Sequence, residues 1–196
     1  MTAAVKLETR TRREIDDLTL ARAQQGDAAA FRVLVETYQD AVFALVWRFL
    51  GRHAQLAVVE DVAQVAFLGI FRSLPRFRIQ GEARLSTWIL TIAARTALKE
   101  RRGDPRPTVQ VDELAEVLAS TDSSDQGVDH RAFVEALGRA LAALAPPYRA
   151  AFLLREYHGF EYEEIATALE IDLGTVKSRL SRARSQLREE LKEFAP

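Results

Sequence analysis

The sequence contains no cysteine, which excludes disulfide bonds, thiolate catalysis and cysteine-bound zinc. Histidine is scarce as well. His53, His130 and His158 are the only three, and none has a second histidine or a thiol at metal-ligand spacing. Neither a glycine-rich phosphate loop nor a strand-turn-helix that would present a nucleophile is found. These gaps argue against an enzyme, and no metal ion or cofactor is implied. No apolar run approaches the ~18 residues that span a bilayer, and the opening stretch MTAAVKLETRTRREIDD has no apolar core of the signal-peptide kind. A cytoplasmic chain without membrane insertion is therefore expected. An excess of either charge is also missing, with 27 basic and 28 acidic residues. Any cationic surface must then be offset by acid elsewhere.

What is present is helical periodicity. A chain of 196 residues with 48% hydrophobic content can bury one good core or two small ones. Residues 1 to about 16 are polar and expected to fray. A short helix is expected from Asp17 to Gln25, ended by Gly26, with Asp27 placed to cap the next. From Phe31 the apolar residues fall at 31, 34, 35, 38, 42, 45, 46 and 49, a sustained stripe that ends at Gly51. Between Leu56 and Leu74 the pattern changes, since Val58, Val59, Val62, Val65, Ala66, Phe67, Leu68, Ile70 and Phe71 leave almost no polar face. A helix of that girth is either buried or docks a partner. Asp61 and Gln64 share one side of it, and a first-turn acid favoured by the helix dipole explains them equally well.

Pro75 stops that helix. The following PRFRIQGEARL, with Arg72 just before it, interleaves Arg76, Arg78 and Arg84 with Phe77 and Gly81. Such a loop suits single-stranded nucleic acid, yet a loop that merely covers the core would also turn Phe77 inward. Ser86 is then expected to cap the helix TWILTIAARTALKERR, whose cationic tail (Arg95, Lys99, Arg101, Arg102) fits a helix C-terminus with or without DNA. From Gly103 to Asp129 periodicity disappears, and seven acids stand against Arg106 alone, a net of about −6 by count. This is the compensating acid, in what reads as a flexible linker between two helical domains.

After the linker, HRAFVEALGRALAALA has a stripe of Phe133, Leu137, Leu141 and Leu144, and Pro146 and Pro147 break it. YRAAFLLREYHG is helical with Phe152 and Leu153 inside, and Gly159 suits its end. EYEEIATAL forms a short helix, and Ile171 to Leu173 a tight turn. The stretch from Gly174 to Leu191 follows, with Val176, Leu180, Ala183 and Leu187 in one narrow sector. Its other side holds Lys177, Ser178, Ser181, Arg182, Arg184, Ser185 and Arg188. From Thr175 to Arg188 five residues are basic and none acidic. A solvated face would mix in Glu for i,i+4 pairing, whereas unbalanced charge with short hydroxyls suits close approach to phosphates. Two helices joined by about three residues, with Ala166 at the crossing, an inner seam of Ile165, Leu169, Val176 and Leu180, and Asp172 or Gly174 as cap, make a helix-turn-helix.

In these residues the chain resembles the extracytoplasmic-function (ECF) sigma factors of bacterial RNA polymerase. LLREYHGFEYEEIATALEIDLGTVKSRLSRARSQLRE is similar to that family's minus-thirty-five reader. EDVAQVAF, the arginine loop and STWILTIAARTALKERR match its first domain, so the likeness covers roughly residues 20 to 192. It implies an all-α protein of two small domains joined by the acidic linker: residues 1–102 for core polymerase binding and minus-ten melting, 103–129 as linker, and 130–196 as the helix-turn-helix domain. The implied polymerase contacts are Asp61, Gln64 and Leu68. Arg76, Arg78, Gln80, Arg84 and Arg95 would engage the minus-ten element. Ser178, Arg179, Ser181 and Arg182 would face base edges in the minus-thirty-five element, with Thr175, Lys177 and Arg184 on phosphates. The implied partners are core RNA polymerase, promoter DNA and, since no sensory extension follows the helix-turn-helix, a separate anti-sigma factor. Three positions depart from the family's habit: Val65 where an acid follows the Gln, Glu161 where Ser or Thr caps the helix, and Glu170 where the turn has Gly. An autonomous dimeric helix-turn-helix regulator would explain the C-terminal domain equally well. It leaves the Asp61 helix and the arginine loop without a role.

Overall fold

The computed structural model describes residues 14–51, 54–79, 81, 83–103 and 128–194. His53, Gln80 and residues 104–127 of the expected linker lie outside the described residues, and no strand occurs among those described. Helix α1 (Asp17–Gln24) is opened by Asp16, whose carboxylate accepts from the Thr19 N–H at 2.9 Å and from its hydroxyl at 2.7 Å. Asp27 caps α2 (Ala28–Leu50) in the same way, accepting from the N–H groups of Ala29 and Ala30. Gly26 and Gly51, both at positive φ, make the turns that end the two helices.

The α2 stripe is the spine of the first domain. Leu34, Val42, Leu45 and Val46 are fully buried, each contributing about 1.5–3 kcal/mol relative to exposure. Helix α3 (Leu56–Ser73) and helix α4 (Leu85–Gly103) pack against it and against each other. Pro75 does not stop α3 outright, because one 3-10 turn (Leu74–Arg76) carries the chain further before the arginine loop. Nor does Ser86 cap α4. Trp88 N–H donates to the Arg84 carbonyl and the helix begins at Leu85, two residues before the expected start, so Ser86 is a buried first-turn residue. Its N–H and hydroxyl donate to Glu14, which also accepts from the Tyr38 hydroxyl at 3.1 Å. Burial, with the Glu14 charge beside it, pushes the Tyr38 phenol well above its ordinary value. Glu14 through Asp16 are thus docked rather than frayed, an acid from outside α4 satisfying that helix's free N-terminal donors.

The second domain is built from α5 (Val128–Ala143), α6 (Pro146–Phe152), α7 (Tyr162–Leu169) and α8 (Leu173–Glu190). In α5 Ala136, Gly138 and Ala140 are buried, as is Leu144 just past its end, while Phe133, Leu137 and Leu141 are half-buried. Small side chains let α5 approach α8, where Ala140 and Leu144 meet Ala183 and Leu187. Pro146 and Pro147 end α5 and also begin α6, where their missing N–H groups cost nothing. Beyond Phe152 the chain widens into a π-helical turn (Leu153–Tyr157) that ends at Gly159, φ +59. Leu153 is buried as expected, whereas Phe152 is only half-buried.

The two domains touch directly. Helix α7 lies on α4 and α6 on α2, and one continuous set of buried side chains runs from Leu20 through Leu34, Ile89 and Phe160 to Leu180.

Candidate nucleic-acid interface

Helix α8 presents its cationic face because the opposite face is fully committed. Val176 and Leu180 are buried and with Ile165 and Leu169 of α7 form the expected seam of a helix-turn-helix, while Ala183, also buried, faces α5. The turn is sharp. The Ile171 N–H donates back to the Ala166 carbonyl, and Glu170 takes the left-handed conformation at φ 55, ψ 50. Asp172, not Gly174, supplies the α8 cap, accepting from the N–H and the hydroxyl of Thr175, both at 2.7 Å. Those two bonds hold its carboxyl below the ordinary carboxylate range. At the start of α7, the Glu164 carboxylate accepts from the Glu161 N–H at 2.8 Å, the half of a capping box in which a glutamate at the third helical position satisfies the cap residue's own donor.

Of the expected base-facing residues, Ser178, Ser181 and Arg182 are exposed and Arg179 is half-exposed. Arg182 is steered by Tyr148 of α6, whose hydroxyl accepts from Nη1 at 2.9 Å. Of the expected phosphate contacts, Lys177 is exposed and Thr175 is engaged with Asp172. Arg184 is held by Glu156, with Nη2 at 2.7 Å and Nε at 3.2 Å from the same carboxylate oxygen. That hydrogen bond pushes the guanidinium pKa up, fixing its charge. Neither Tyr148 nor Glu156 stood out in the sequence, since each lies far from its arginine along the chain.

Around the second candidate surface, Arg76, Arg78 and Arg84 are exposed. Phe77 turns inward instead, its ring 5.1 Å from that of Trp88, while Gln24 donates to the carbonyls of Leu74 and Phe77 at 3.0 and 2.7 Å. The loop is pinned at its base with its arginines outward. Gln80 lies outside the described residues. Arg95 stands apart from the loop, directed across α4 to α7, where Nη2 donates to the Thr167 carbonyl at 2.6 Å.

On α3, Val59, Val62, Ala66 and Ile70 are buried, whereas Asp61, Gln64 and Leu68 share the exposed side. Val65, Leu68 and Phe71 remain 55%, 54% and 49% exposed there, an apolar strip edged by the two polar residues.

Comparison with known proteins agrees with this geometry. Residues 34–106 match the Sigma-70 region 2 family and residues 134–187 match Sigma-70, region 4. The RNA polymerase sigma-H factor of Pseudomonas aeruginosa is 34% identical over 183 residues, covering 89% of this chain and 92% of its own. The ECF RNA polymerase sigma-E factor of Escherichia coli is 33% identical over 181 residues, covering 88% and 92%. Among solved structures, CnrH in complex with the cytosolic domain of CnrY shares the fold at TM-score 0.62 and 22% identity, over 91% of this chain and 97% of that one. The sigma factor RpoE of Bartonella quintana, in complex with the anti-sigma factor NepR, does so at TM-score 0.59 and 24% identity, over 83% and 96%. Matches to both Sigma-70 regions in the two helical domains, with relatives of 33–34% identity along most of the chain, define a transcription initiation factor. This chain belongs to the ECF family of RNA polymerase sigma factors.

Proposed function

We propose that the chain binds core RNA polymerase through the exposed side of α3, with Asp61, Gln64 and Leu68 in the contact, and directs it to promoters read at two elements. Residues 1–102 carry the polymerase and minus-ten contacts, 103–129 span the gap, and 130–196 read the minus-thirty-five element. One observation supports this most: α8 keeps its apolar stripe buried while Lys177, Ser178, Ser181 and Arg182 face outward, unbalanced by acid on the same face. Ser178, Arg179, Ser181 and Arg182 address base edges in the major groove, and Thr175 and Lys177 the backbone. Arg184, paired with Glu156, serves this surface mainly by anchoring α8, with phosphate contact as its secondary role. At the minus-ten element Arg76, Arg78, Gln80, Arg84 and Arg95 engage the strand. The protein works in the cytoplasm, where bacterial polymerase acts, and the complex of the Bartonella quintana relative supports control by an anti-sigma factor here too.

The deciding experiment is run-off transcription with purified bacterial core polymerase over a promoter library. Promoter-specific transcripts that require this chain are expected. Tight duplex binding by the chain alone, with no effect on transcription, would favour an autonomous dimeric regulator instead.

A further inference from the structure

The arginine loop is held at both ends by a short stretch of chain that lies outside it. At the entry, the Gln24 side chain at the end of α1 donates from Nε2 to the Leu74 carbonyl at 3.0 Å and to the Phe77 carbonyl at 2.7 Å. At the exit, Glu14, just ahead of α1, accepts from the Ser86 hydroxyl and from the Ser86 N–H at 3.3 Å. The same carboxylate is tied to α2 by the Tyr38 hydroxyl, which donates to it at 3.1 Å. A ring contact links the two ends to each other, since Phe77 at the entry lies 5.1 Å from Trp88 just past the exit.

The stretch that makes these bonds is itself fixed. Asp16 caps the start of α1, the Arg22–Asp27 ion pair at 2.6 Å ties its end to the start of α2, and Leu20 and Ala23 are buried in the core. Between the two anchors Arg78, Gly81, Ala83 and Arg84 are exposed, and the Gly81 N–H donates to the Arg78 carbonyl at 3.1 Å. The loop therefore has a fixed base and a free tip. Covering the core needs only the inward turn of Phe77, whereas the Gln24 amide and the Glu14 carboxylate are committed to the loop's backbone and to the residue at its exit. Arg78 and Arg84 each lie within two residues of an anchored position. Fixing both ends beforehand sets the span between these two arginines and removes part of the ordering cost of taking hold of a strand, while their side chains stay mobile.

We propose that Glu14 and Gln24 are positioning residues for the minus-ten element: they set the span of the arginine loop, so a segment with no DNA contact of its own contributes to which minus-ten sequence is accepted. This rests on the reading of the arginine loop as a minus-ten contact.

The test uses holoenzyme reconstituted from core polymerase and each full-length variant. Two run-off libraries barcoded in the transcribed region are supplied, one randomised across the minus-ten element and one across the minus-thirty-five element. Gln24→Met keeps the length of the side chain and removes the donor, and Glu14→Ala removes the acceptor. Each is expected to narrow the ratio of best to worst base at the most selective minus-ten position about fivefold, with minus-thirty-five preference unchanged. Glu14→Gln keeps an acceptor for Ser86 and is expected to retain most of the native preference. A variant that is merely less stable lowers total transcript and leaves both preference profiles as they were. Native minus-ten preference in both Gln24→Met and Glu14→Ala, or an equal loss at the two elements, overturns the proposal. Arg78→Ala with Arg84→Ala tests the reading beneath it. Flattened minus-ten preference there, with native preference in the Gln24 and Glu14 variants, keeps the loop as a reader and removes the positioning role. Native preference in the arginine variant removes the loop from the minus-ten element, and the positioning role with it.

Discussion

The two cationic regions of this sigma factor are built in opposite ways. On α8 the cations are organised from within their own domain: Tyr148 steers Arg182 and Glu156 anchors Arg184, so the surface is set before DNA arrives. In the first domain Arg76, Arg78 and Arg84 extend from a loop into solvent, and Arg95 is turned away toward α7. A duplex reader gains from a preset array, because base edges in the major groove sit at fixed spacing. A surface proposed to capture an opened strand gains less from rigidity, since stacking and backbone contacts tolerate a flexible partner.

This contrast can be tested by substitution, beginning with the largest effect. Leu180→Ala removes a fully buried side chain from the seam and is expected to cost about 2–5 kcal/mol in chemical denaturation. Because Leu180 and Leu34 belong to one continuous core, the variant is expected to lower the same cooperative transition as Leu34→Ala. Two separable transitions, only one of them moved, would make the domains independent. Charge reversal at exposed Asp61 is expected to abolish co-purification with core polymerase while leaving the circular dichroism spectrum unchanged. Retained complex would remove Asp61 from the contact.

Next comes Arg182→Ala, expected to cost about 1–3 kcal/mol and to relax preference at one promoter position. Uniform loss on every sequence would mark Arg182 as a phosphate contact. Smaller again, Arg184→Ala and Glu156→Ala are each expected to destabilise the second domain by about 1 kcal/mol or less, with the double variant no worse than either alone. A DNA-binding defect in Arg184→Ala that Glu156→Ala does not share would restore Arg184 as mainly a phosphate contact. The smallest effect concerns acid. The Asp172 carboxyl is depressed by its cap bonds, so its contribution is present above the unfolded carboxylate range and is lost as pH falls through the lower folded value. Acid titration of Asp172→Ala should show a shallower loss of stability in that window than the native chain.

Much of this architecture was legible because burial repeats with the helical period. The α2 stripe from Leu34 to Phe49, apart from half-buried Val35, and the seam of Ile165, Leu169, Val176 and Leu180 are buried where spacing put them, with Phe31 half-buried at the start of the stripe. Asp27 and Asp172 cap where short acidic side chains precede apolar runs. Glu170, standing where the family's turn has Gly, has a positive φ. What escaped were polar contacts between distant parts of the chain, which have no period. Glu14 closing the start of α4, Tyr148 on Arg182 and Arg95 on the end of α7 each join residues 34 to 73 positions apart. The alanine face of α5 escaped for another reason, since side-chain size alone favoured Phe133 whereas close helix approach favours Ala136 and Ala140.

Gly51 shows how closely the two domains approach each other. It ends α2 at φ +91, and a Cβ built there would lie 2.8 Å from Nη1 of Arg149, a buried guanidinium that also donates from Nη2 to the Ala142 and Leu144 carbonyls at the end of α5. A methyl group at position 51 would oblige that guanidinium to shift against the carbonyls it bonds. The turn that ends a helix in one domain and the side chain that bonds a helix end in the other therefore share one small space.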